Sequence, residues 1–376
     1  MLANILRFKV VISLTVVSLV VIMVSPLKTS LQNGIVLEAN AHLNELMASP
    51  NSLLLSSPAP ISGGSKTVPE LLNSHLSTTD ALNAWFDRSQ TQALMVQKKG
   101  RVIYERYSAD AGDGRDINAM SMTKTIIAIL IGIAVDEGLI NSEKDAISLY
   151  LPEIQQHPTH PVTLRDLLRH TSGIQSTAED LRATLGGNPL ITPLPQISFK
   201  GDRSFHYDNI NYHLLSLALT SVYKKPLNRL IEDKLWHPLN LEKAAIINTA
   251  GYCCVFATAR SWLEIGNLFL NPNNGVLSSH WTNKMVNDTV IPEWFFVQAT
   301  GKSAGNTYGY HIYGGLPELP DVFWIEGMGL QLVMINPQTQ TIIVRLGGIP
   351  SALNVFSNRY DSSIIAPLIK ILTTDD

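Results

Sequence analysis

Residues 118–138 read NAMSMTKTIIAILIGIAVDEG, and the fold turns on this stretch. Serine stands three places before lysine where a long apolar run begins, so Ser121 and Lys124 would share one face at a helix start. A serine hydroxyl is a weak nucleophile until a neighbouring base takes its proton. The first turn of a helix carries positive partial charge, and the apolar residues after Lys124 penalise an ammonium, so both effects lower its pKa. An unprotonated amine beside the hydroxyl is such a base. Free N–H groups at the helix start, that of Ser121 among them, add a place for an oxyanion. The same residues also fit a plain N-cap followed by a solvated lysine, since serine is a favoured cap.

The pattern S-x-x-K occurs three times, so context has to separate the copies. Ser25-Pro26-Leu27-Lys28 closes an N-terminal apolar run. Ser221-Val222-Tyr223-Lys224 ends a helical pattern ahead of Pro226, where lysine compensates the helix dipole. A second element favours Ser121. The stretch FHYDNINYHLL (205–215) sets Tyr207, Asp208 and Asn209 ahead of a helical run. A phenol beside a lysine can relay the proton and return it to a leaving group. Alone, Tyr207 fits equally well as a packed aromatic with a satisfied hydroxyl.

In chain order come KKGRVIYERY, SMTKTIIAILIGIAVDEGLI, DAISLYLPEI, VTLRDLLRHTSGI and FHYDNINYHLLSLAL. GYCCVFATARSWLEIGNLFL, YGYHIY and GMGLQLVMINPQTQTIIVRLGG follow. This ordered set, over about residues 90–350, resembles the serine β-lactamase-like hydrolases, particularly the class C β-lactamase, esterase and 6-aminohexanoate-dimer hydrolase branch. The resemblance implies Ser121 as the nucleophile of an acyl-enzyme, Lys124 as its base and Tyr207 as general acid/base. It implies that Asn209 orients Lys124 or the substrate carbonyl. Gly327-Met328-Gly329-Leu330-Gln331 falls on the family's third element, so Gly327, Met328 and Gly329 would border the oxyanion, with the Met328 N–H completing the hole. Gly327 permits close backbone approach. No metal or organic cofactor is implied.

Three departures stand out. No K-T-G occurs, so the lysine that would bind a penicillin carboxylate has no counterpart. Leu330 replaces a usual glycine. Asp208 brings a negative charge near Lys124 that would raise its pKa if turned inward, and it is expected to face solvent.

The remaining chain sets the frame. Its 376 residues are 45% hydrophobic and 16% charged, with a net charge of −3, an ordinary globular composition with an added apolar segment. Without a basic run or stripe, nucleic acid is excluded as a partner. Residues 10–27, VVISLTVVSLVVIMVSPL, form an uncharged run of 18 that is long enough to span a bilayer. Length favours an uncleaved anchor over a cleaved signal, and Arg7 and Lys9 place the folded part outside the cytoplasm in either case. Residues 28–80 read as a Ser- and Pro-rich tether with a short helix at 37–47, and residues 81–376 as the hydrolase domain.

Within that domain the patterns predict a helix at 81–90, a hairpin about Lys99-Gly100, a helix at 121–138 and a mainly helical stretch from 139 to about 300. Strands at 330–335 and 341–347 and a helix at 361–374 follow. Strands thus cluster at both ends, and the fold class is α/β (α+β): one antiparallel sheet built from both ends, packed by helices, with a helical lobe.

Other signals weigh less. Adjacent Cys253 and Cys254 read as two small buried residues ahead of a vicinal redox pair. GKSAG (301–305) matches G-x-S-x-G but lacks the helix and the triad order of that motif. His157 and His160 lack a third metal ligand. His170 fits a turn held by hydrogen bonds. Trp281, Trp294, Phe295 and Phe296 fit either a cleft lining or core packing. The expected activity is hydrolysis of a small ester or amide. A D,D-peptidase or β-lactamase on the same scaffold, or a binding protein retaining the fold, are the alternatives.

Overall fold

Alternating side chains of a strand point to opposite faces, so a sheet covered on both sides needs strands that are apolar throughout. The runs LQLVMI and TIIVRLG meet that requirement, and both lie inside a seven-stranded sheet. The computed structural model describes residues 58–64, 79–111, 116–154, 160–176, 197–199, 202–247, 250–271, 274–292, 307–315, 319–348 and 362–373. The anchor at 10–27, the helix at 37–47, His157, GKSAG and Trp294 to Phe296 lie outside these residues. Among the described residues no helix is long and apolar enough to cross a membrane.

The strands are β1 (Ala59–Ile61), β2 (Thr91–Lys98), β3 (Arg101–Tyr107), β4 (Ile117–Asn118), β5 (Ile174–Gln175), β6 (Ser198–Phe199), β7 (Ala244–Ile246), β8 (Val255–Ala257), β9 (Thr307–Tyr308), β10 (Tyr313–Gly314), β11 (Phe323–Gly327), β12 (Gln331–Asn336) and β13 (Thr341–Gly347). The α-helices are α1 (Thr79–Arg88), α2 (Thr123–Asp136), α3 (Leu164–Leu168), α4 (Ile210–Tyr223), α5 (Leu227–Ile231), α6 (Ala259–Leu270), α7 (Ser279–Asn287) and α8 (Ser362–Thr373). The large sheet runs β3-β2-β13-β12-β11-β10-β9, every pairing antiparallel. Its centre joins β2, from early in the chain, to β13, from near the end, as expected. One face (Met95, Val333, Ile342, Val344) enters a core shared with α2 and α6. The other (Leu94, Val96, Met334, Ile343) packs on Trp85 and Phe86 of α1 and Leu368 and Leu372 of α8.

Helix α2 is the axis of the larger core. Every residue from Thr123 to Ala134 is buried, as a helix apolar all round must be. Gly138, in the left-handed region at φ 71°, follows its end, as glycine does at helix C-termini. Trp281 lies flat against Gly132, where any Cβ would overlap the indole, and its Nε1 donates to the Ala128 carbonyl at 3.0 Å. Trp281 is therefore core.

A second, four-stranded sheet of order β1-β7-β8-β4 differs from expectation, because residues 59–61 fall in the stretch read as a tether. Ile61 is buried, Asn228 Nδ2 donates to the Pro60 carbonyl at 2.8 Å, and Ser62 N–H donates to Glu232 Oε2 at 2.7 Å. Three-residue strands have no measurable period, which is why this sheet leaves so little trace in the sequence.

Candidate active site

The approach to Ser121 is pinned by the small sheet. Ala119 N–H donates to the Val255 carbonyl at 2.9 Å, and Met120 N–H donates to Asn118 Oδ1 at 2.9 Å. Thr123 Oγ1 donates to the Met120 carbonyl at 2.8 Å and accepts from Val255 N–H at 2.9 Å. Met120 is held at φ 51°, a left-handed conformation that costs a non-glycine residue about 1 kcal/mol. The spacing predicts that Ser121 opens the α-helix, and the structure corrects this, because the helix starts at Thr123. Ser121 sits in a 3₁₀ turn, Met120–Met122, that leads into α2, and this tighter turn keeps the hydroxyl facing the lysine one turn on.

Lys124 is fully buried. Its Nζ lies 2.9 Å from Ser121 Oγ and 2.9 Å from the Tyr252 carbonyl. Burial drives its pKa well below the ordinary lysine value, and the Asp208 carboxylate pulls more weakly the other way. Nζ also lies 5.0 Å from the centroid of the Tyr207 ring. The three expected catalytic side chains thus meet around one amine, which lies close to both the Ser121 hydroxyl and the Tyr207 ring.

Tyr207 is positioned by the segment LLRHTSG. Its ring stacks on His170 with centroids 4.4 Å apart. His170 Nδ1 accepts from Asp208 N–H and Asn211 Nδ2, both at 3.2 Å, while its carbonyl accepts from His206 N–H at 2.8 Å. Burial, reinforced by the neighbouring Lys124, holds the imidazole pKa well below its usual value, so Nδ1 keeps the lone pair those bonds require. Ser172 Oγ donates to Asn211 Oδ1 at 2.6 Å. The two motifs occur together because each satisfies the other's buried polar groups.

Asp208 corrects the expectation of a solvent-facing side chain. It is buried and accepts from Ser176 N–H at 2.9 Å, Ser176 Oγ at 2.7 Å and Ile210 N–H at 3.0 Å. Its charge caps the start of α4, where free N–H groups favour an anion. Asn209 precedes α4 directly, and its Oδ1 is buried with no hydrogen-bond partner among the described residues. The bonds of Lys124 go to Ser121 and Tyr252 instead.

The end of β11 closes the site. A Cβ on Gly327 would overlap the Ala119 carbonyl oxygen and crowd Gln331, so the strand and the turn that carries Ser121 touch through backbone. Gly327→Ala should force them apart and lower kcat/KM about 10²-fold, the cost of misplacing reacting groups by about 1 Å. Steady-state ester hydrolysis, with circular dichroism to confirm folding, measures it. The turn after β11 has Gly329 at φ 85° and Leu330 at φ 58°. Leu330, buried in the smaller core, takes up a glycine-like conformation without being glycine.

A family model described as Beta-lactamase matches residues 83–361. The chain belongs to the Beta-lactamase family. Within that family it is 22% identical over 307 residues to a 6-aminohexanoate-dimer hydrolase of Paenarthrobacter ureafaciens, covering 69% of this chain and 73% of that protein. It is 25% identical over 174 residues to Protein flp of Staphylococcus aureus, covering 42% of this chain and 35% of that protein. The chain thus spans about a third of the length of this relative. A solved structure from Bacillus anthracis, a candidate 6-aminohexanoate-dimer hydrolase, superposes with a TM-score of 0.69 at 18% identity, covering 88% of this chain and 94% of that one. The family membership accounts for the antiparallel sheet and the ordered motifs together.

Several residues around the site carried no readable signal. Tyr252 acts through its backbone carbonyl, which no side-chain pattern reports. It precedes Cys253 and Cys254, both buried as expected. Arg345, one charge in an otherwise apolar strand, carries no sequence signal for its role, and it is fully buried.

Proposed function

We propose that this member of the Beta-lactamase family hydrolyses a small ester or amide through an acyl-enzyme on Ser121. The observation that carries the reading is Lys124, wholly buried with Nζ 2.9 Å from Ser121 Oγ. With the amine neutral, the hydroxyl donates to its lone pair and the amine donates to the Tyr252 carbonyl, so each group has a partner. As Oγ attacks the substrate carbonyl, its proton passes to Nζ. The negative charge that develops on the carbonyl oxygen is taken by the N–H groups of Ser121 and Met328, the role for which Gly327 and Gly329 leave room. Tyr207 passes the proton on to the leaving group, and water then reverses the sequence to free the acid. Asn209 Oδ1, an acceptor without a partner among the described residues, suits an N–H of an amide substrate.

Two features favour esters and amides over penicillins. The sequence holds no K-T-G, so no lysine stands where a penicillin carboxylate would bind. The relative matched over 69% of this chain carries the name 6-aminohexanoate-dimer hydrolase. A panel of p-nitrophenyl esters, short linear amides, D-amino-acid peptides and a chromogenic cephalosporin tests the reading. Turnover of at least one ester or amide, exceeding that of the cephalosporin, is expected. Cephalosporin turnover alone would transfer the assignment to a β-lactamase.

A further inference from the structure

A buried arginine ordinarily faces a carboxylate, because an uncompensated guanidinium is costly to desolvate. Arg345, on β13, is fully buried, yet its guanidinium donates to neutral oxygens. Nη1 donates to the carbonyls of Gly329 and Leu330, each at 2.8 Å. Nη2 donates to the Ser89 carbonyl at 3.0 Å and to that of Gly348. Nε donates to Thr91 Oγ1 at 3.1 Å. Burial lowers its pKa to about 9, which leaves it charged at neutral pH.

Both carbonyls on Nη1 belong to the turn after β11. That turn has two successive left-handed residues, one of them leucine, a conformation that persists only where surrounding bonds enforce it. Gln331 grips the same turn from its other end. Its Nε2 donates to the Gly347 carbonyl at 2.6 Å and more weakly to those of Met328 and Gly329 at 3.3 and 3.4 Å, and its Oε1 accepts from Gly347 N–H at 2.9 Å.

We infer that Arg345, assisted by Gln331, is a positioning residue that locks the Met328–Leu330 turn against β13 and the end of α1, so that the Met328 N–H stays aimed at the reacting carbonyl. The inference rests on the proposed oxyanion role of Met328. It explains why a costly buried charge sits far along the chain from the nucleophile: its fork spans four carbonyls and a hydroxyl at once, which the single ammonium of lysine cannot do.

The test compares Arg345→Lys with Thr91→Val, which removes one acceptor of the guanidinium away from the turn. Each is measured on p-nitrophenyl butyrate, with fluorophosphonate labelling rates and thermal midpoints beside the wild type. R345K should lose about 10- to 100-fold in kcat and in labelling rate with KM within about 3-fold, the signature of an interaction felt in the transition state. T91V, at a comparable fall in thermal midpoint, should keep kcat within about 2-fold. If R345K loses no more kcat than T91V, or if its loss falls on KM alone, Arg345 is structural only and the inference is overturned. Should R345K fail to fold, Gln331→Met carries the same comparison, and an unchanged kcat there overturns it equally. Ser121→Ala, run alongside, separates the two levels: if it labels and turns over like the wild type, the acyl-enzyme reading itself has failed.

Discussion

Ser121→Ala should abolish fluorophosphonate labelling and lower ester hydrolysis by roughly 10⁴- to 10⁶-fold, the range for removal of a nucleophile that works with a base. The change deletes one oxygen and leaves the frame. Met120 stays tied to Asn118 and Thr123, and Lys124 Nζ keeps its bond to the Tyr252 carbonyl. The variant should therefore melt close to the wild type, so a loss of activity reports chemistry and not folding. Equal labelling of both proteins would sink the assignment.

Lys124→Arg should be nearly inactive, by about 10³-fold or more, because a guanidinium holds its proton far more tightly than an amine in the same place and cannot serve as the base near neutral pH. It also forces a larger, permanent charge into a fully buried site. Lys124→Met separates the two causes. It matches the stem of lysine, removes the base and removes the desolvated amine, so it should be inactive yet at least as stable as the wild type. The pH profile has a definite sign. In the proposed mechanism the amine works when neutral, so kcat/KM should climb with pH through the depressed pKa of Lys124 and level off above it. Stability follows the same group. Between 10.5 and the lowered native value, the unfolded chain binds a proton that the native chain does not. Native stability therefore declines as pH falls across that window, and K124M should flatten this decline. A rate that falls as pH rises through neutrality would refute the base role.

The parts of the fold that could be read from the sequence are those with local cause. The hairpin at Lys99-Gly100 follows from turn chemistry between two β-prone runs, and β2 and β3 lie there. The helix after Ser121 follows from its apolar length. What escaped is held by distant partners. Strands β7 and β8 are three residues each and take their meaning from β1 and β4. Asp208 reads as a surface charge because two of its bonds come from Ser176, 32 positions away in the chain. Arg345 broke an apolar strand without any nearby acid to explain it, and its acceptors are carbonyls, which sequence does not display.

The strand Ala59–Ile61 has a practical consequence for anyone shortening this protein. Cutting at residue 80, where the sequence suggests the folded part begins, would strip β7 of its outer neighbour and free Glu232 from the Ser62 amide. The bared strand edge would invite aggregation. Starting the polypeptide a few positions before residue 58 keeps that seam closed and yields the better-behaved sample.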